Sequence, residues 1–348
     1  MIRQRMREWG VVLGRGVFCV LLFLLIGEFD FRVLPHAPPL RLEAAEWVCR
    51  RFGANQVGFV WLGVMTRRSV PAAINAQGLR GAEVDLNAIG RLRILGVGSS
   101  SAFGAGVHDD ETWAFQLQTL LRQAGYPADV LGAGVPGWST FQIATFIKSY
   151  SSLYRPHAIV VMVTEKQLER PPGVNEPERQ NYPVSGRKAK TLSPYYPRFV
   201  GYLKGKINFI YKIKRAEMNT ALARFSGEVA EKGLSQRLQK QIPYWQSITA
   251  YADSQKVPTL FFIPNLFGSA TSERLGQCLR DLTHASPWVS VIMLSPDDLA
   301  ERDQRSSPAA IKASLTIPGD GHPNARYHRL IAGKLAGVFE RLNINALP

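Results

Sequence analysis

The sequence predicts an α/β fold of three layers, with helices on both faces of a five-stranded parallel sheet and one N-terminal transmembrane helix ahead of it. Three observations lead there. From Arg91 onward, short apolar runs alternate with segments of helical period. The strands are apolar throughout instead of at every second position. The N-terminus is basic and then apolar. A strand apolar on both sides is covered on both sides, and the helices that link parallel strands supply the cover.

Arg93–Gly98 reads as the first strand, ending in small residues. Glu111–Ala124 reads as a helix, because Trp113, Phe115, Leu117, Leu120 and Leu121 recur at three- and four-residue spacing. Asp109 and Asp110 stand where a helix N-terminus favours carboxylates. Strands follow at Asp129–Gly132, Ala158–Val163, Thr259–Pro264 and Val289–Leu294. Helices are expected over Thr140–Leu153, Ile242–Gln255, Leu275–Leu282 and Ala325–Leu342. In such sheets, sites form at the carboxyl ends of the strands.

The chain divides into an anchor (1–28), a connecting region (29–90) and the α/β domain (91–348), the last interrupted by an insertion at about 170–235. Arg3, Arg5 and Arg7 precede an apolar stretch from Trp9 to Gly27. Its uninterrupted part, Gly16–Gly27, has the length of a signal-peptide core. Counted from Trp9, the stretch reaches about 27 Å at ~1.5 Å per residue, enough to span a bilayer if Arg15 extends toward the headgroups. No small-x-small cleavage site follows, which favours an uncleaved signal anchor with its basic end cytoplasmic and the rest exported. In the connecting region, Val57–Met65 is apolar but too short to cross a bilayer. It reads as a packed strand or as a segment lying against the membrane. The insertion opens proline-rich, then mixes Tyr195, Tyr196, Phe199, Tyr202, Phe209 and Tyr211 with lysine and arginine. It reads as a functional lid or as a solvated, partly helical excursion.

A 46% hydrophobic fraction and 20% charge describe a chain able to bury a core, which excludes disorder throughout. The formal net charge of +15 points to an acidic partner, such as an anionic surface met through residues 187–215. Nucleic acid is not expected, since no zinc-finger spacing, RNP-type motif or basic zipper is present. Protein partners are unknown at this level. Cys19, Cys49 and Cys278 lie far apart, so no metal site is expected, and no cofactor either. Cys19 falls in the apolar N-terminal run, which leaves Cys49 to Cys278 as the one internal disulfide the chain allows; buried or free thiols are the plainer reading.

Three short motifs carry chemistry. Gly98-Ser-Ser-Ser-Ala-Phe-Gly104 turns from the first strand into a helix and exposes a hydroxyl at a helix N-terminus, where backbone N–H groups stabilise negative charge. By itself such a turn equally cradles a phosphate or merely reverses the chain. Gly132-Ala-Gly-Val-Pro-Gly-Trp138 follows the second strand, with glycines that let an amide such as that of Gly134 approach the same crevice, or simply make a glycine-rich loop. Asp320-Gly-His-Pro-Asn324 precedes the last helix. A serine is a poor nucleophile until a base takes its proton, and a histidine oriented by a carboxylate does so near neutral pH. His36, His108, His157, His284 and His328 have no comparable neighbours and read as structural.

The order of these motifs resembles the SGNH, or GDSL-type, esterase and acyltransferase superfamily. Asn75-Ala-Gln-Gly-Leu-Arg-Gly81 and Gly106-Val-His-Asp-Asp-Glu-Thr112 also resemble sequence that flanks the first block in bacterial members. The resemblance implies Ser100 as nucleophile, His322 as base and Asp320 as the group that orients it. It also implies an oxyanion site from the Ser100 and Gly134 amides. The closing Asp-x-His spacing resembles the alginate acetyltransferase-like branch. Two positions depart from the pattern. The Asp that usually precedes the nucleophile is Ser99. The third block's Asn-Asp is replaced within Val163-Thr-Glu-Lys-Gln-Leu168, where Lys166 or Gln167 stands in as oxyanion donor. The implied activity is a serine ester hydrolase or O-acyltransferase on envelope polysaccharide or lipid, anchored in the bacterial inner membrane with its domain in the periplasm or outside the cell. The rival reading is a catalytically inactive subunit that binds or assembles through the same scaffold.

Overall fold

The computed structural model describes residues 15–26, 29, 42–45, 49–59, 70–169, 227–299, 306–318 and 320–342. In chain order the elements are α1 (15–26), β1 (Leu42–Ala45), β2 (Cys49–Phe52), β3 (Gln56–Phe59), β4 (Pro71–Ile74) and β5 (Leu92–Gly98). Then come α2 (Ser100–Phe103), α3 (Trp113–Gln123), β6 (Ala128–Gly134), α4 (Thr140–Tyr154), β7 (Ala158–Met162) and α5 (Glu165–Leu168). The chain closes with α6 (Gly227–Gln255), β8 (Thr259–Pro264), α7 (Ala270–Thr283), β9 (Val289–Leu294), α8 (Pro308–Leu315) and α9 (Ala325–Arg341).

The expected three-layer α/β/α architecture is present. Five parallel strands lie in the order β6-β5-β7-β8-β9. Relabelled by sequence, that is 2-1-3-4-5, the doubly wound order of flavodoxin-like sheets. Strands β5, β6 and β7 are buried at every position, the charged Arg93 and Asp129 included, and β7 is apolar throughout. Alternate residues serve opposite faces. Leu95, Val97, Ile159 and Val161 join a cluster with α4, α6 and α7 through Ile147, Trp245, Ile248 and Leu279. Ile94, Val160, Met162 and Phe262 join another with α3 and α9 through Trp113, Leu117, Ile331 and Phe339. Each fully buried aliphatic side chain contributes roughly 1.5–3 kcal/mol, so a polar substitution at Val160 or Ile94 would break a layer.

The β3–β4 hairpin packs beside this sheet, placing Ala72, Ile74 and Leu79 in the first cluster. Its continuation covers the exposed edge of β6, where the Arg80 amide donates to Gly132 O at 3.1 Å. Of the apolar run Val57–Met65, the part up to Phe59 is strand; the remainder lies outside the described residues.

Several boundaries differ from the sequence reading, each for a physical reason. Helix α3 begins at Trp113, capped by Thr112, whose hydroxyl accepts from Phe115 N at 3.3 Å. Asp109 and Asp110 therefore do not cap it. They lie in a single 3-10 turn, and Asp109 pairs with Arg80 instead. Helix α6 runs 29 residues, from Gly227 through Pro243 to Gln255, and so starts well before the expected Ile242. Here the proline only forgoes one intrahelical bond and the helix continues on its N-terminal side. Residues 227–235 of the expected insertion are thus helical, while 170–226, including the basic aromatic part, lie outside the described residues.

Of the expected transmembrane stretch, residues 15–26 are described. They are helical with exposed apolar side chains such as Phe18 and Leu25. Among the described residues no helix is long and apolar enough to cross a membrane. Cys278 on α7 is a free thiol, so the Cys49–Cys278 disulfide is not formed.

Candidate active site

Ser100 opens α2 directly after β5, at the carboxyl edge of the sheet. The turn is tight because two glycines admit the helix. A Cβ on Gly98 would lie 2.6 Å from Ala102 Cβ, and one on Gly134 would lie 2.3 Å from Phe103 N. The short helix therefore folds back onto β5 and β6, leaving the Ser100 hydroxyl half-buried at its start. The Ser100 amide belongs to the helix's first turn and has no intrahelical acceptor.

His322 reaches Ser100 from a loop 222 positions away, with Nε2 2.8 Å from Ser100 Oγ. Its other ring nitrogen, Nδ1, is hydrogen-bonded to Asp320 Oδ1. A carboxylate only accepts, so Nδ1 carries the proton and Nε2 is left as acceptor for the serine O–H. The loop that arranges this is closed on itself. Ile317 N donates to His322 O at 2.8 Å, and Asp320 N and Gly321 N both donate to Ile317 O. Gly321 takes φ +82°, a left-handed turn that lets residues 320 and 322 share one side. The Asn324 side chain then accepts from Tyr327 N and starts α9. Asp320 is 4% exposed and His322 18%, so the carboxylate is shielded while the imidazole faces the crevice.

The structure brings Ser100, His322 and Asp320 together but treats the other expected site residues differently. Val135 N donates to Gly98 O, which directs the preceding Gly134 amide away from β5. Gly134 therefore serves close packing against α2. Lys166 is exposed on α5. Gln167 is 1% exposed and turned back on its own turn, its Nε2 donating to Met162 O at 3.2 Å and its Oε1 accepting from Thr164 N. The Gln167 amide is thus engaged by backbone groups around α5 and not offered to an oxyanion. Glu165 is drawn toward α7, where its Oε1 accepts from the hydroxyls of Ser269 and Ser272.

Sequence reading passed over three residues. Gly137 turns the β6–α4 loop at φ +87°, and its amide has no acceptor among the described residues; several glycines share that loop and spacing does not rank them. Arg80 is 4% exposed and bonds to the carbonyls that follow α2. His328, read as structural, is wholly buried against this assembly. Burial, then the nearby Arg80 and His322, push its imidazole down to about 3, so it is neutral. No metal-binding group of His, Cys, Asp and Glu occurs among the described residues.

No protein-family profile matches the sequence, and no curated protein does. Solved structures do. A two-domain esterase active on acetylated mannans is 12% identical with a TM-score of 0.40, over 74% of this chain and 51% of that one. The chain thus spans about half the length of that relative. A psychrotrophic esterase from Pseudoalteromonas is 13% identical with a TM-score of 0.40, covering 72% and 98%. An acetyl-xylooligosaccharide esterase from Geobacillus is 14% identical with a TM-score of 0.39, covering 70% and 92%. At that distance the likeness says nothing of substrate. With its parallel sheet in 2-1-3-4-5 order and a serine at the tip of the first strand facing a histidine from the last loop, the chain has the three-layer α/β arrangement that the resemblance to the SGNH (GDSL-type) superfamily implies.

Proposed function

We propose that this chain is a serine esterase or O-acyltransferase working through an acyl-Ser100 intermediate. The observation that carries the reading is the continuous chain from Ser100 Oγ to His322 Nε2, and from His322 Nδ1 to Asp320. His322 takes the serine proton as Oγ bonds to the ester carbonyl carbon. The carbonyl oxygen becomes an oxyanion, for which the Ser100 amide, in the first turn of α2, stands as a donor. Collapse breaks the bond to the alkoxy oxygen, and His322 returns its proton to the departing alcohol. Water, or an acceptor hydroxyl, then attacks the acyl-serine by the reverse of these steps. Asp320 holds the imidazole tautomer throughout.

The acyl carrier we propose is an O-acylated polysaccharide or lipid of the bacterial envelope. A signal anchor built around residues 15–26 would hold the domain at the inner membrane, facing the periplasm. The exposed apolar side chains of those residues and the basic residues before them support that placement. A fluorophosphonate probe tests the chemistry: wild type is expected to label and Ser100→Ala is not. Wild type left unlabelled at pH 8 would sink the enzyme reading.

One observation favours a second reading, a binding or assembly subunit that keeps the scaffold without catalysis. The Gln167 amide is engaged by Met162 O and Thr164 N, so it is not offered to the oxyanion. Losing one such donor costs about two to three orders of magnitude in rate. The same probe separates the two readings.

A further inference from the structure

We propose that Arg80 is the positioning residue of the nucleophile: from a loop outside the sheet it grips the carbonyl end of the one-turn helix that carries Ser100 and so sets where the hydroxyl meets His322. Its catalytic consequence rests on the esterase reading above; the geometric claim does not.

A helix of four residues has no stability of its own. Its last carbonyls, and those of the turn that follows, need donors from elsewhere. Ser99 O is taken by Phe103 N, and Ser100 O by the amides of Gly104 and Ala105. Ala102 O accepts from the Trp113 indole at 2.8 Å. Ser101 O accepts from Gly104 N, and the carbonyls of Phe103, Gly104 and Val107 converge on one side chain. Arg80 Nη1 donates to Phe103 O at 2.9 Å and to Gly104 O at 2.5 Å, and Nη2 donates to Val107 O at 2.6 Å. Its Nε donates to Asp109 Oδ1 at 2.7 Å. The guanidinium also lies over the Phe103 ring, 4.7 Å from its centroid. One planar fork thus binds the end of α2, the loop after it and the carboxylate beyond.

That fork is itself held from behind. Asn75 Oδ1 accepts from the amides of Gln77 and Leu79, and Asn75 Nδ2 donates to Ala82 O at 2.9 Å. The Arg80 amide is fixed to Gly132 O on β6, and Asp109 Oδ2 accepts from Ala73 N at 3.0 Å. The Gly78 amide donates to Asn75 O at 3.0 Å, so residues 75–80 form one turn that presents a guanidinium at a set depth. A lysine ammonium has no fork and reaches one of these acceptors well at most.

The test compares wild type, Arg80→Lys and Ser100→Ala by the NMR signal of the His322 ring, which reports the Ser100 contact whether or not the protein turns over an ester. Arg80→Lys is expected to move that signal most of the way to its Ser100→Ala position, with a cooperative thermal transition retained. On an aryl acetate its kcat is expected to fall about 30-fold or more, with KM within about two-fold, since misplacement near one ångström costs that order of rate. A His322 signal at the wild-type position in Arg80→Lys overturns the proposal, as does an unchanged kcat. If Arg80→Lys does not fold, Asp109→Asn takes its place, with a smaller shift in the same direction expected and no shift counting against the idea. A wild type without esterase activity ends the esterase reading alone, because the NMR comparison still decides the role of Arg80.

Discussion

The Trp113 backbone amide donates to Nδ1 of His328 at 3.2 Å, joining the first turn of α3 to the first turn of α9 in a fully buried layer. Helix α9 follows the loop that delivers His322. Helix α3 sends the Trp113 indole to Ala102 O in the helix that carries Ser100. One backbone-to-ring bond thus ties together the two sides of the candidate catalytic pair.

That bond has a pH dependence. The His328 imidazole sits at about 3 in the folded protein, against an ordinary 6.5 when the chain is unfolded. Between those values the unfolded chain holds a proton that the native protein does not, so stability is full above about 6.5 and declines as pH falls. The slope from this group approaches about 1.4 kcal/mol per pH unit. His157, also lowered by burial and then by Arg93, adds in the same direction. His328→Asn keeps an acceptor for Trp113 N but cannot take up a proton. Denaturant melts at pH 7 and pH 5 are expected to differ less in the variant than in wild type, and equal differences would exclude His328.

Asp320→Asn is expected to keep the fold and lower kcat by about three orders of magnitude, because the amide permits the wrong imidazole tautomer. Esterase kinetics with a thermal melt in parallel check this. A loss under ten-fold would remove Asp320 from the mechanism.

Lys166→Ala is expected to leave kcat and KM within about two-fold of wild type, since the side chain is exposed and no buried polar group depends on it. A large fall in kcat with KM unchanged would restore it as an oxyanion donor.

Gly134→Ala is expected to cost about 2 kcal/mol or more of stability, because the new methyl meets the backbone of α2 and not the end of a flexible side chain. Activity should fall with it as α2 is pushed from β6. A thermal midpoint equal to wild type would show that α2 sits farther from β6.

Much of this was legible in the sequence because it is local. Strands buried on both faces are apolar at most consecutive positions, so β5, β7 and β8 could be read within a residue or so of their ends; the edge strand β9, with Ser290 exposed, was legible from its own apolar run. The pairing of His322 with Asp320 is likewise a property of one short loop. Boundaries set by competition were not legible. The start of α6 was one: the helix was expected from Ile242 but runs on N-terminally through Pro243, where Leu238 joins the buried cluster and Leu234 packs against it. Asp109 reads as a helix cap but is claimed by Arg80, 29 positions earlier.

By itself, then, the amino-acid order determined the layered class, the strand runs and a serine, a histidine and an aspartate on loops at the ends of elements, because periodicity and turn chemistry act over a few residues. Only the tertiary structure decided which groups share the crevice. It turned Gln167 back on its own helix, left Lys166 in solvent and gave the connecting segment a guanidinium to hold the Ser100 turn. The reason is that donors and acceptors distant in sequence compete for the same few buried carbonyls, and that competition is settled only when the sheet brings the loops to one edge.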